Sequence, residues 1–385
     1  MTSRERLLAA LQHEIPDRVP WSALINNYFL EAQEKKYRSM SATDFLQEMK
    51  ADLFDWVGLE AKSKDVVIET YIDGKHYRTD DTGDWLTEFY DYIVDIDYYR
   101  NPRGRIVKRV FKTPNGQLTA EFTYTPVSHT VFISDYPIKR LEDYKTFRYM
   151  IESLEYLDLE KAFRDKESEI GAEGVTVAFL HATPAYELIQ CFMGLERFHY
   201  FFYDYRKETL HLMDTMFHKF CECYRLSAKT AVPVVLISED ASTTMYSPMF
   251  FNRYLKPVLE EYCRIIRESG KVAVIHACGH LRDLVKSLGE TGVDCIESVS
   301  PPPTGNISIR EFKEAVPNLC VMGGIPANVF LFESEQFREY VKKLIIENKE
   351  GGNFILSSGD SVPSNARVEN ICAIPDLIEK YGRYR

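Results

Sequence analysis

No cysteine occurs before Cys191, and the eight in the chain are scattered from there onward at irregular spacing. That distribution argues against a disulfide framework and for thiols that serve as small core residues or as ligands. Blocks of five or more lysines and arginines are also missing, and the net charge is −11. Electrostatic binding to nucleic acid or to an anionic membrane is therefore disfavoured, which leaves small molecules or another protein as partners. Long apolar runs are absent too: none approaches the roughly 18 residues of a membrane span. The opening Met1-Thr2-Ser3-Arg4-Glu5 lacks the apolar core of a signal peptide, so a cytoplasmic protein is the expectation. Finally, no G-x-G-x-x-G or Walker A sequence follows any strand-like run, which weakens a nucleotide-binding reading.

What is present is a chain of 385 residues, 45% of them hydrophobic, enough for one large α/β barrel or two ordinary domains. Thr2 to Leu11 predicts a short amphipathic helix with a capping box, Thr2 and Glu5. Pro16 and Pro20 bracket Asp17-Arg18-Val19 and lead into Trp21–Ile25, a first strand. From about Lys64 to Asp135 the texture changes. Asp73-Gly74 and Asn115-Gly116 divide strand-like runs, which predicts antiparallel, aromatic-rich hairpins inserted in the chain at 64–135.

After Gly174 strand and helix alternate. Strands are expected at Val175–Leu180, Val234–Ile237, Lys271–Ile275, Asp294–Ile296, Leu319–Met322 and Asn353–Leu356, with helices over about 184–202, 207–230 and 248–269. Such alternation implies right-handed crossovers and a parallel sheet. With Trp21–Ile25 the count is about seven, and an eighth is easily hidden between Ala51 and Ala61 or in the insertion. The expectation is an α/β fold, a (β/α)8 TIM barrel with an N-terminal antiparallel, aromatic-rich insertion, forming one domain over 1–385.

The carboxyl ends of barrel strands carry the chemistry. The polar residues there are His181, the pair Glu239 and Asp240, His276 with Cys278, Glu297, and Asp360, beside Gly323-Gly324. The apolar run Lys271–Ile275 stops abruptly on His276-Ala277-Cys278-Gly279, and imidazole and thiolate two positions apart suggest zinc. Each residue has a plainer alternative. His181 serves equally well as a hydrogen-bonded residue at a helix entrance, Glu239 and Asp240 as helix caps, and Cys278 alone as core. Glu297 precedes Pro301-Pro302-Pro303, a stiff loop with structural uses of its own.

Arg4-Glu5-Arg6-Leu7-Leu8-Ala9-Ala10-Leu11 followed by Pro16-Asp17-Arg18-Val19-Pro20 resembles the opening of the uroporphyrinogen decarboxylase superfamily. The resemblance resumes over about Leu180 to Ile378, in Gly194-Leu195-Glu196-Arg197, Ser247-Pro248 leading to Lys256-Pro257, His276-Ala277-Cys278-Gly279, Gly323-Gly324-Ile325, and Gly359 through Glu369-Asn370. It implies a TIM barrel, and dimerisation, which is common in that superfamily, makes a homodimer possible. The decarboxylase branch carries an arginine-rich loop after the first strand for an acidic porphyrinogen. Here Ser22 to Leu30 contains no arginine. The other branch is similar to cobalamin-dependent methyltransferases, whose zinc is bound by H-x-C and a distant cysteine. His276 and Cys278 match the first two positions, and Asp360 stands where the distant cysteine is expected.

The resemblance thus implies a methyltransferase with zinc on His276, Cys278 and Asp360. Glu239 or Glu297 is an alternative ligand, and Glu239 an alternative proton handler. His181 and Asn26 are candidates for orienting the substrate. The implied partners are a small methylated compound, methoxy or thiol, as methyl donor or acceptor, and a corrinoid protein carrying cobalamin. Rival readings are a decarboxylase of another substrate, which would need a cationic cluster, and a non-catalytic tetrapyrrole or corrinoid binder.

Overall fold

The computed structural model of the chain describes residues 1–58, 60–90, 106–125 and 130–384. The first regular strand is β1 (Leu53–Val57). Seven strands of another kind follow: β2 (Ala61–Ser63), β3 (Val67–Ile72), β4 (Lys75–Asp80), β5 (Ile106–Thr113), β6 (Gly116–Thr125), β7 (Thr130–Asp135) and β8 (Leu154–Tyr156). The chain then runs through β9 (Gly174–Leu180), β10 (Val234–Ile237), β11 (Val272–His276), β12 (Cys295–Val299), β13 (Cys320–Ile325) and β14 (Phe354–Ser358). Contacts divide it into two compact units, one of Met1–Gly58, Glu160–Leu180 and Ser227–Arg385, the other of Leu59–Leu159 and His181–Leu226.

The first unit holds a seven-stranded parallel sheet in the order β1-β9-β10-β11-β12-β13-β14. Its strands are nearly continuous apolar runs, as sheets covered on both faces require; Val-Val-Leu-Ile of β10 is buried throughout. The strand expected between Ala51 and Ala61 is β1. The strand expected at Trp21–Ile25 is instead a pair of isolated parallel bridges, Trp21 to Leu356 and Leu24 to Ser361. Pro20 contributes no N–H there, only its carbonyl, which accepts from Leu356 N at 2.9 Å. On the other side Asp52 N donates to Trp21 O at 2.8 Å. This segment therefore touches both β14 and the entry to β1, as the eighth strand of a barrel would.

The helix Ser3–Leu11 forms with its capping box on Thr2 and Glu5. It packs Leu7, Ala10 and Leu11 into a core cluster with alternate residues of the strands, among them Val175, Val177, Val234, Leu236, Val272 and Val274. The nearby arginines are structural. Arg4 pairs with Glu167. Arg6 donates through Nε to Asp17 at 2.7 Å and through Nη1 to the fully buried Asp52 at 2.6 Å, and Arg18 reaches the same Asp52 oxygen at 3.1 Å.

Partial burial would raise the Asp17 carboxyl, but the hydrogen bond and charge of Arg6 outweigh it and hold the group at about 2, against an ordinary 3.8. A depressed folded-state pKa contributes stability that is complete above the unfolded value and is lost as pH falls through the folded one. Urea unfolding of wild type and Asp17→Asn is thus expected to differ most above pH ~4 and to converge toward pH ~2. A pH-independent gap would remove the ion pair as its cause.

Ser247 caps the helix that begins at Pro248, accepting from Phe250 N at 3.2 Å. A π-helical turn at Phe251–Leu255 interrupts that helix before Lys256–Glu268. A similar turn, Leu188–Met193, breaks the helix expected over 184–202, which ends at Gly194 with φ 79° and restarts at Leu195.

The second unit contains a five-stranded antiparallel sheet, β4-β3-β5-β6-β7, and the pair β2-β8. Asp73 and Gly74, at φ 49° and 77°, make the first hairpin turn. In the second, Thr113 pairs with Gly116, so the loop residues are Pro114 and Asn115. Trp85, Phe89, Phe111, Phe122, Phe147 and Phe192 form an aromatic core in this unit. Parts of the insertion expected at 64–135, residues 91–105 and 126–129, lie outside the described residues. Among the described residues no helix is long and apolar enough to cross a membrane.

Candidate metal centre

His276 is the last residue of β11, on the face that carries Val272 and Val274 into the core, because strand side chains repeat every second position. Just past it the backbone turns at Gly279, where a Cβ would stand 2.4 Å from the Ser242 side chain. His280 N donates to Ser242 Oγ at 3.0 Å, and Cys278 N donates to Asp240 Oδ1 at 3.2 Å. Cys278 Sγ lies 3.2 Å from that same oxygen, so Asp240 fixes both ends of the cysteine.

Asp360 follows β14. Gly359 lets the chain pass Ser300, whose Oγ would be 2.5 Å from an added Cβ. One donor atom each from His276, Cys278 and Asp360 lie within 4.8 Å of one another. Nitrogen, sulfur and carboxylate oxygen form a donor set that suits zinc.

The imidazole is held from behind. Its Nδ1 is 2.5 Å from Glu297 Oε2, and Ser298 Oγ donates to Glu297 Oε1 at 2.7 Å. With Nδ1 engaged, Nε2 is the nitrogen left to face a cation. Such a carboxylate behind a ligating histidine sets its tautomer and ring orientation. Glu297 is aimed by a bulge: the β12–β13 register shifts between Ile296 and Val299, and Ser298 sits at φ 67°. Gly323 opposite, at φ 146°, allows the approach, since a Cβ there would lie 2.3 Å from Val299 O.

Burial opposes charge on His276, but the Glu297 carboxylate and the hydrogen bonds to Cys278 and Glu297 hold the imidazole well above its ordinary value. Burial likewise pushes the Cys278 thiol up to about 12, with the His276 hydrogen bond opposing and Asp240 and Asp360 adding. A coordinated cation reverses this, since a ligating thiol is deprotonated.

The remaining sequence candidates fall as follows. Glu239 is fully buried and accepts from Tyr246 Oη at 2.8 Å; neither it nor Glu297 belongs to the three-donor group. Asn26 donates to Ser361 Oγ at 2.8 Å, beside Asp360, and lines with Glu297 a cavity of about 180 Å³. His181 belongs to the second unit, stacked on Phe220 at 3.8 Å, with Glu187 2.9 Å from Nδ1 and Tyr156 Oη 3.0 Å from Nε2. The hydrogen bonds of Glu297 to His276 and of Asp240 to Cys278 could not be told from ligation in the sequence, because both carboxylates stand at strand ends as ligands do.

The fold and site are those of a parallel α/β protein that gathers polar side chains at the carboxyl ends of its strands. Residues 124–381 match the family described as uroporphyrinogen decarboxylase (URO-D), and the chain belongs to that family. Among solved structures it is similar to a methyltransferase from Methanosarcina mazei, at 14% identity and TM-score 0.62, covering 99% of each chain. A GH5 xyloglucanase from Bacteroides ovatus is matched at 7% identity and TM-score 0.36, over 84% of this chain and 98% of that one. At 14% identity the likeness to the methyltransferase is one of fold. None of the curated proteins compared matches the sequence.

Proposed function

We propose that this chain is a zinc-dependent methyltransferase of its family, moving a methyl group between a small methylated substrate and the cobalamin of a separate corrinoid protein. The observation that carries the reading is the convergence of His276, Cys278 and Asp360, with Glu297 and Asp240 bracing the first two. Support also comes from the wall of the adjoining cavity: residues 22–26 line it without an arginine, where a porphyrinogen decarboxylase would need cations. We further propose that residues 20–24 complete an eight-membered barrel around the site.

Bound zinc would supply Lewis acidity toward the substrate heteroatom, which otherwise makes a poor leaving group. The protein's own part is orientation. Glu297 fixes the imidazole, Asp240 fixes the cysteine, and Asn26 at the cavity wall is the proposed substrate-orienting group. Glu239, with its hydrogen bond from Tyr246, is the proposed proton handler. His181, engaged on both ring nitrogens, is assigned a positioning role within its own unit.

The test is elemental analysis of protein prepared without added metal or tag histidines, followed by mixing with methylated donors and a corrinoid protein. Near-stoichiometric zinc and a change in the corrinoid's visible absorption are expected. Protein that takes up no zinc even when it is supplied would sink the proposal.

Glu297→Gln tests the support behind His276. Loss of an outer-shell partner lowers metal affinity roughly 10–100-fold, so competition against a zinc chelator should register a drop of that size. Unchanged affinity would show that the carboxylate does not orient the ligand.

A further inference from the structure

The cavity that shares Glu297 with the candidate metal centre is lined by Leu24, Phe54, Trp56, Met322 and Ser357, among others. Two hydrogen-bonding atoms of its lining residues, Trp56 Nε1 and Ser357 Oγ, are buried without a partner among the described residues. Ser357 as a whole is 1% exposed. The Trp56 ring is held by stacking on Phe179, centroids 5.0 Å apart, so the indole has little freedom to seek a partner elsewhere. Native interiors rarely leave such atoms unpaired, and their coincidence at one cavity points to a ligand.

The chemistry of that ligand follows from the wall. An indole N–H can only donate, so whatever meets Trp56 must accept a hydrogen bond. The ionisable lining residues are Asp55 and Glu297, both acidic. Each is already committed. Asp55 pairs with Lys166 at 3.2 Å and accepts from Thr43 at 3.0 Å, while Glu297 serves His276 and Ser298. A carboxylate or sulfonate would meet no cationic side chain in the lining, and an ammonium group would find no unclaimed carboxylate. Size narrows the choice further: an apolar cavity of roughly 150 Å³ takes benzene in another protein, and this one is about 180 Å³.

We infer that this cavity binds the methyl-bearing substrate, and that the substrate is an uncharged, roughly benzene-sized methoxy compound with a second oxygen that accepts from Trp56 and Ser357, which leaves its methoxy oxygen for the metal. The inference rests on the methyl-transfer reading and narrows it, since an anionic thiol is disfavoured as the small partner. Phe54 and Met322 supply the apolar contact that such a ring needs.

The test is calorimetric titration with 2-methoxyphenol and, separately, with mercaptoethanesulfonate and trimethylammonium, on wild type, Trp56→Phe and Ser357→Ala. Losing one neutral hydrogen bond should weaken 2-methoxyphenol about two- to thirteenfold in each variant, with mercaptoethanesulfonate at least about tenfold weaker than 2-methoxyphenol in wild type. Trp56→Phe keeps the ring that stacks on Phe179, and a thermal melt of each variant confirms its fold. Tighter binding of either charged probe, or unchanged 2-methoxyphenol affinity in both folded variants, overturns the inference. Titration requires no turnover, so the two readings fail separately. Binding with this preference in a protein that takes no zinc sinks the methyltransferase alone, whereas zinc-dependent transfer with the thiol as tighter ligand sinks the cavity assignment alone.

Discussion

Cys278→Ser is expected to lower zinc affinity on the order of 100-fold or more, because even an outer-shell loss costs roughly 10–100-fold. Protein prepared without added metal should fall from near-stoichiometric zinc to a small fraction, with methyl transfer falling in parallel. The serine hydroxyl is close in size to the thiol and can still donate to Asp240, so the fold around β11 should survive. That is what makes the variant informative. Its alcohol does not ionise near neutral pH, whereas the thiol, although burial pushes it up to about 12, yields its proton to a coordinating cation. Retention of full zinc by Cys278→Ser would mean that sulfur is not a ligand and that the site belongs to the oxygens and the imidazole.

Asp52→Ala should produce the largest loss of stability of any single substitution considered, about 3–5 kcal/mol. Asp52 is fully buried and accepts from Arg6, Arg18 and the backbone N–H of Trp21, the last at 3.0 Å. Its removal leaves a buried guanidinium short of a partner and releases the segment that lies between β14 and β1. Urea unfolding at neutral pH is the measurement. A change below about 1 kcal/mol would make the network no stronger than an exposed ion pair. Asp52→Asn, which keeps the shape and an acceptor oxygen but not the charge, should fall between wild type and Asp52→Ala.

The parallel sheet was legible because β9 to β14 are written in runs of Val, Ile, Leu and Cys that suit a strand buried on both faces. β1 was faint for the opposite reason: Leu-Phe-Asp-Trp-Val carries a carboxylate that reaches out to Thr43 and Lys166. The π turns at Leu188–Met193 and Phe251–Leu255 left no trace, since one additional residue per turn does not disturb a hydrophobic stripe enough to be seen. In the site, His276 and Cys278 stood out as polar residues ending an apolar strand. Asp360 was one of several polar residues at strand ends, and its place beside His276 and Cys278 came from family resemblance. The cavity donors were invisible: Trp56 and Ser357 resemble any core tryptophan and serine until the space beside them is known.

One consequence of the bulge in β12 concerns how the strand divides its labour. Up to Ile296 it is a structural wall whose Cys295 lies in the apolar core, and from Glu297 onward it braces His276 of the candidate metal centre. The additional residue acts as a phase slip between these halves, so the pairing with β13 below it does not dictate which way the chain points above it. Core and chemistry are thereby decoupled on a single strand. Cys295 and Cys320 answer to packing alone, whereas a side chain at Gly323 would meet Val299 O at 2.3 Å and close the approach on which the bulge at Ser298 depends.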